Sequence, residues 1–216
     1  MAGVRKKVGV LISGRGSNMT ALLAAAAAPD YPAEIVLVLA NREDAGGLAT
    51  ASAKGIPTAC VPHRPFKGDR AAHERAVAEA LDAAGVEIIC LAGYMRLLTP
   101  WFVGRYAGRM LNIHPSLLPA FPGVDTHARA LEAGVKLHGC TVHLVTEGMD
   151  EGPILAQAAV PVLPDDSEEA LAARVLAQEH LIYPMVLADF AAERPGSAPS
   201  PGAVLCNPLP APPAVS

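Results

Sequence analysis

Val8-Gly9-Val10-Leu11-Ile12-Ser13-Gly14-Arg15-Gly16-Ser17-Asn18 is an apolar run that stops at a serine, turns through two glycines and opens the Ala-rich stretch 20–28. A short aliphatic run bounded by turn residues has the length of a buried strand, and the stretch after Ser17 has helical spacing. Strand, glycine turn and helix in that order are the first half of a βαβ unit. Working outward, the pattern repeats. Strands are expected at 8–12, 34–40, 57–61 and 86–92, with helices near 17–28, 47–54 and 69–84 between them. Alternation of this kind predicts a Rossmann-like α/β open sheet, parallel in its N-terminal half, with helices on both faces.

The second half changes character. A strand at 110–113 is followed by a Pro-rich loop, a helix near 126–133, and two long strands at 138–145 and 153–161, which predicts a mixed C-terminal extension. A last helix starts after Ser167 as N-cap, with Glu168 and Glu169 where acidic groups suit the helix dipole, and is expected to reach about residue 192 with a bend at Pro184. From Pro195 on, Pro, Ser, Gly and Ala dominate. One domain over 1–192 and a loosely held Pro-rich tail over 193–216 are therefore expected.

Bulk properties narrow the function. A chain of 216 residues supports one sizeable core, so one site is sought. With 51% apolar and 18% charged residues the chain is globular, and a formal charge of -4 lacks the basic footprint of a nucleic-acid binder. Small-molecule partners are favoured over nucleic acid or membrane. Cys60, Cys90, Cys140 and Cys206 form no CxxC pair, and no apolar run approaches the roughly 20 residues that span a bilayer. The expected setting is cytoplasmic, as a monomer or homodimer.

Three segments carry chemistry. The first is Ser13-Gly14-Arg15-Gly16-Ser17-Asn18, where a strand end and a helix start bring backbone N–H groups to one point that suits an anion. An ordinary βα turn uses glycines in the same way. A dinucleotide fingerprint fails, because Met19 stands where a third glycine is needed and Ala40-Asn41 where an acid is needed. A P-loop fails for lack of Gly-Lys-Ser/Thr. The surviving reading is a loop for a single phosphate, with Ser17 and the Asn18 amide as further donors and Arg15 either adding charge or simply solvated.

The second is Asn112-Ile113-His114-Pro115-Ser116-Leu117-Leu118-Pro119. Residues two apart on a strand share a face, so Asn112 and His114 project together, and Pro115 keeps His114 extended. An amide beside an imidazole suits a developing oxyanion, although a strand-end turn former beside a partly buried histidine would read alike. The third is Met149-Asp150-Glu151-Gly152-Pro153, which turn chemistry alone could explain. His138 and His143 lie five apart on one strand and face opposite sides, so zinc is not indicated and no metal is expected. Cys140 reads as a buried small hydrophobe rather than a nucleophile.

Together these segments, with Leu91-Ala92-Gly93-Tyr94-Met95-Arg96, closely resemble the phosphoribosylglycinamide formyltransferases of the folate-dependent formyltransferase family, from about residue 8 to 190. The His-Pro-Ser segment and the later Asp are shared with the formyltetrahydrofolate hydrolases; the glycine loop distinguishes the two. The resemblance implies transfer of a formyl group from 10-formyltetrahydrofolate, as cosubstrate, to the amine of N1-(5-phospho-D-ribosyl)glycinamide in purine biosynthesis. It further implies that Gly16, Ser17, Asn18 and Glu179 hold the ribonucleotide. Arg70, Met95, Arg96, Leu97, Leu98 and Asn112, with the loop 146–150, would line the folate pocket. A cis peptide is expected at Leu118-Pro119. Arg15 and Asp125 stand where some relatives carry Asn and His, so their contacts are not implied.

Attack of an amine on a formyl carbon needs donors for an oxyanion and a path for the amine proton. Asn112 and a protonated His114 are assigned as the donors, with Asp150 keeping the imidazole charged and relaying the proton. Two rivals stand beside this: a hydrolase, in which water replaces the amine and the phosphate loop has no task, and a non-catalytic sensor, which has no use for all three polar groups.

Overall fold

In the computed structural model, which describes residues 5–193 and 205–206, β1 (Lys6–Ile12) is paired on both sides, with β2 (Ala33–Ala40) and with β4 (Ile88–Leu91). Both pairings are parallel. β2 carries the short edge strand β3 (Thr58–Cys60), and β4 carries β5 (Met110–His114), also in parallel. β6 (Leu137–Leu144) then runs antiparallel to β5, and β7 (Ile154–Pro161) antiparallel to β6. A two-residue strand β8 (Leu205–Cys206) lies parallel to β7, giving an eight-stranded sheet of order β3-β2-β1-β4-β5-β6-β7-β8. Apart from Glu193 and this strand, the segment expected as a tail lies outside the described residues.

Helices cover both faces because the buried strands are apolar on both. Val8, Val10 and Ile12 face a core completed by α1 (Ser17–Ala26), α2 (Gly46–Ala53), α5 (Thr126–Glu132) and α6 (Glu168–Ala191). Leu11, on the alternate side of β1, joins Leu37, Leu39, Ile89 and Leu91 under α3 (Arg70–Ala83) and α4 (Pro100–Arg105). The period of two within one strand thus separates two cores. α6 continues unbroken through Pro184, and the buried Tyr183 hydroxyl shares its hydrogen between the carbonyls of Leu91 (3.0 Å) and Leu111 (3.1 Å), fastening this helix to the end of β4 and to the neighbouring part of β5. Ser167 caps α6 through Ala170 N–H, at the expected position. Among the described residues no helix is long and apolar enough to cross a membrane.

Three elements went unread in the sequence: α4, a 3-10 turn at Arg64–Phe66 and the two-residue strand β8. α4 is short, but Thr99 caps it and Pro100 occupies its first turn, a legible start signal in hindsight.

Close approach of β6 and β7 makes one glycine a test of this packing. A Cβ built at Gly139 would fall 1.9 Å from the Ala158 carbonyl oxygen and 2.9 Å from Leu117 Cδ2. Gly139→Ala is expected to lower stability by about 1–3 kcal/mol through overpacking, read as a lower urea midpoint at unchanged m-value. Wild-type stability in that variant would show that the strands are not so closely seated.

Candidate active site

The site forms where the strand order reverses, at the carboxyl ends of β1, β4 and β5. Ser13 N–H donates to the Gly93 carbonyl (3.1 Å), which holds the ends of β1 and β4 together. Beyond it, Gly16 adopts φ 71° and starts α1 without any side-chain cap, so the first N–H groups of this ten-residue helix are left to an incoming acceptor. No acidic residue occupies its first turn. α2 closes on the same loop: Gly47 N–H donates to Gly14 (3.1 Å), and a Cβ there would lie 2.5 Å from Ile12 Cδ1. Ser17 is exposed beside these groups.

The Asn18 side chain has a partner in the fold: its Nδ2 donates one of its two hydrogens to Glu179 Oε2 at 2.5 Å. Burial pushes the Glu179 carboxyl up, against a smaller lowering by Asn18. The sequence-predicted pair is thus joined directly across 161 positions of chain.

On β5, Asn112 and His114 meet Asp150. His114 Nδ1 lies 3.4 Å from Asp150 Oδ2, and His114 Nε2 lies 3.1 Å from the Phe121 carbonyl. A carbonyl only accepts, so Nε2 carries a proton, and each ring nitrogen then faces an acceptor, which suits the imidazolium form. Asp150 Oδ2 also accepts from Gly123 N–H (2.8 Å), and its Oδ1 lies 3.8 Å from His143 Nε2. Asp150 sits at φ 58° with its side chain 12% exposed. Asn and Asp tolerate that backbone region better than other side chains do.

His143 is the residue that sequence reading missed. It stands opposite Asn112 across the β5–β6 ladder. Its Nδ1 is 2.9 Å from the Leu144 carbonyl and must donate, which leaves Nε2 as acceptor for Asn112 Nδ2 at 3.1 Å. Burial lowers its pKa and favours that neutral form. One amide hydrogen of Asn112 is held in this way while the other stays available. His138, on the opposite face, packs edge-to-face with Phe121 and His127. Cys140 is fully buried, with its thiol pushed up by desolvation, in keeping with a core residue.

The loop between β5 and α5 is fixed by side chains of β6 and β7, the buried Thr141 and the half-buried Gln157. Thr141 Oγ1 donates to Ser116 O (2.7 Å) and accepts from Leu118 N–H (3.0 Å), and Gln157 donates to Leu118 O (2.8 Å). The Leu118-Pro119 peptide is cis, as expected. Across the crevice, the buried Glu74 accepts from Thr99 N–H (2.8 Å) and the Thr99 hydroxyl, tying the 93–99 loop to α3, whose first residue is Arg70. Met95 and Leu97 from that loop, with Val124 and Met149 from the loops beside Asp150, are exposed apolar groups. They offer surface to a flat, partly apolar ligand.

A model of the formyl transferase family matches residues 6–187. The chain is 46% identical over 182 residues to the phosphoribosylglycinamide formyltransferase of Escherichia coli strain K12, covering 84% of this chain and 85% of that one. It is 48% identical over 186 residues to the trifunctional purine biosynthetic protein adenosine-3 of Drosophila melanogaster, spanning 85% of this chain but only 14% of that protein's length. The crystal structure of phosphoribosylglycinamide formyltransferase from Brucella melitensis superposes with TM-score 0.83 at 61% identity, over 87% of this chain and 96% of that one.

Burial of imidazoles around the site predicts acid sensitivity. Desolvation lowers His127 and His143, and takes His138 from 6.5 to about 4 with the neighbouring His127 adding to it. The folded protein holds these rings neutral while the unfolded chain protonates near 6.5, so stability is present above that pH and falls as pH drops toward 4. His138 alone accounts for about 3 kcal/mol over this window. Urea midpoints measured from pH 7.5 to 4.5 are expected to fall, and His138→Gln to flatten the slope. A wild-type midpoint that does not change with pH would contradict the buried neutral rings.

Proposed function

The chain belongs to the formyl transferase family, and on that premise we propose that it transfers the formyl group of 10-formyltetrahydrofolate to the amine of N1-(5-phospho-D-ribosyl)glycinamide. The products are formylglycinamide ribonucleotide and tetrahydrofolate, a step of purine biosynthesis. One observation carries the reading: the Asp150 carboxylate is seated 3.4 Å from His114, on the strand that also presents Asn112.

The amine lone pair attacks the formyl carbon, and the carbonyl electrons move onto oxygen. Asn112 N–H and the His114 imidazolium donate to that oxygen, where preorganised donors act most strongly because water is excluded. His114 reaches it by exchanging the Phe121 carbonyl for the developing oxyanion. Asp150 holds the positive charge on His114 and takes the proton that the amine sheds, directly or through water. Collapse of the tetrahedral species breaks the carbon–N10 bond, and the same proton reaches N10 of the departing folate. His143 keeps the Asn112 amide turned toward the reacting carbon.

At the other end, Gly16, Ser17 and Asn18 hold the acceptor's phosphate on the uncapped start of α1, with Glu179 positioning Asn18. Arg70, Met95, Arg96, Leu97 and Leu98 line the donor's pocket, and Val124 and Met149 close its other side. The uncapped helix start favours this reading over the hydrolase, in which no phosphorylated acceptor takes part. Catalysis by these residues does not call for a metal.

Mixing the protein with 10-formyltetrahydrofolate, with and without the ribonucleotide, and following the folate absorbance is expected to show turnover only when the acceptor is present. Deformylation indifferent to the acceptor would identify the hydrolase. Ser17→Ala is expected to raise the acceptor KM about ten- to a hundredfold with little change in kcat, the worth of one charged hydrogen bond. An unchanged acceptor KM would place the phosphate elsewhere. Asp150→Asn keeps a side chain at ease at φ 58°, so fold and folate affinity should persist while kcat drops by at least about a thousandfold. A kcat within about tenfold of wild type would leave Asp150 a turn residue only.

A further inference from the structure

The two ionisable side chains of the site lean on backbone groups only two residues apart. The Phe121 carbonyl accepts from His114 Nε2 (3.1 Å), and Gly123 N–H donates to Asp150 Oδ2 (2.8 Å). That stretch of loop does not hold its shape unaided. Phe121 stands at φ 52°, Gly123 at φ 82° and Asp125 at φ 55°. The left-handed region disfavours a bulky side chain, and Phe121 also precedes Pro122, which presses its neighbour toward extended backbone. Such a conformation persists only where its surroundings impose it.

A side chain outside the chemistry imposes it here. Arg129 Nη1 donates to the Pro122 carbonyl (2.6 Å) and to the Val124 carbonyl (3.3 Å), and its guanidinium carbon lies 5.6 Å from the centre of the Phe121 ring. Arg129 rides on α5, which is itself anchored: Thr126 and Ala130 are buried, and Thr126 Oγ1 donates to the Pro115 carbonyl (2.7 Å), next to His114. The carbonyls on either side of Gly123 therefore converge on one cation. The peptide between Pro122 and Gly123 is trans, so its carbonyl and its N–H point opposite ways. With Arg129 on the carbonyl, the N–H is aimed at Asp150 and polarised as a donor.

We infer that Arg129 is a positioning residue for the proposed chemistry. Through one peptide unit it holds Gly123 N–H on the Asp150 carboxylate, and through the same loop it sets the Phe121 carbonyl against His114. The inference rests on the roles given above to His114 and Asp150. Arg129 acts on both through backbone, while the acceptor loop and the 93–99 loop follow β1 and β4. Its loss is therefore felt in turnover far more than in substrate binding.

The test replaces Arg129 in the full chain by methionine, which keeps length and helix propensity without charge or donors, and by lysine, which keeps a charge and donors. Arg129→Met is expected to lower kcat about ten- to a hundredfold, with acceptor KM and folate affinity changed by less than about threefold. In the same variant, exchange of the Gly123 amide hydrogen is expected to speed at least about tenfold while the amides of β1 keep their protection, which separates loss of this clamp from general loosening. Arg129→Lys is expected to recover most of the lost kcat. Wild-type kcat in Arg129→Met, a fall in kcat with Gly123 exchange unchanged, or a lysine variant no better than the methionine one would overturn the inference. An Asp150→Asn variant with wild-type kcat would instead sink the roles of His114 and Asp150, and Gly123 exchange alone would then decide whether Arg129 holds the loop.

Discussion

Parallel pairing of β1 with neighbours on both sides obliges the chain to leave it in one direction and return from the other. β2 and β3 fill one flank and β4 and β5 the other, so no helix can cover the sheet edge-on where the order reverses. The carboxyl ends of the strands are left open there. The proposed site lies in that opening: the uncapped start of α1, the loop after β4, and the polar end of β5. Tyr183 reinforces the arrangement from beneath by binding the carbonyl of Leu91, at the end of β4, and that of Leu111 within β5.

The antiparallel turn of the second half adds what a purely parallel sheet would lack. Because β6 runs back along β5, His143 comes to stand directly across from Asn112, and the loop between β6 and β7 brings Asp150 back over His114. A carboxylate between two histidines is thereby assembled from three segments that a continued βαβ repeat would have sent to different ends of the sheet. The two imidazoles serve opposite ends. His143 is buried and neutral and orients an amide, whereas His114 has an acceptor on each nitrogen.

Local patterning made much of this legible. The period of two in 8–12 and 34–40, the glycine turn and the Ser167 cap each act within a few residues, and each corresponds to a described element. Asn112 and His114 were readable for the same reason, since two positions along one strand fix their common face. The features that escaped depend on cross-chain register. Nothing near His143 announces that Asn112 lies opposite, and nothing near Asn18 announces that Glu179 will take its amide. Asp150 could be placed beside His114 only by resemblance, because its neighbours Gly152 and Pro153 explain a turn without it. α4 escaped for a different reason: at six residues it is too short for periodicity to register.

The left-handed backbone at Asp150 has a consequence for how such a protein can change over generations. Residues at ease at φ 58° are glycine, asparagine and aspartate, and only the last carries a charge. Replacement by either of the others satisfies the backbone and leaves the turn before Gly152 and Pro153 intact. Quality control that senses misfolding therefore has no purchase on this position. On the proton-transfer role proposed for Asp150, a copy that lost its acid here would still fold, persist and occupy its ligands, and only selection acting on product would remove it.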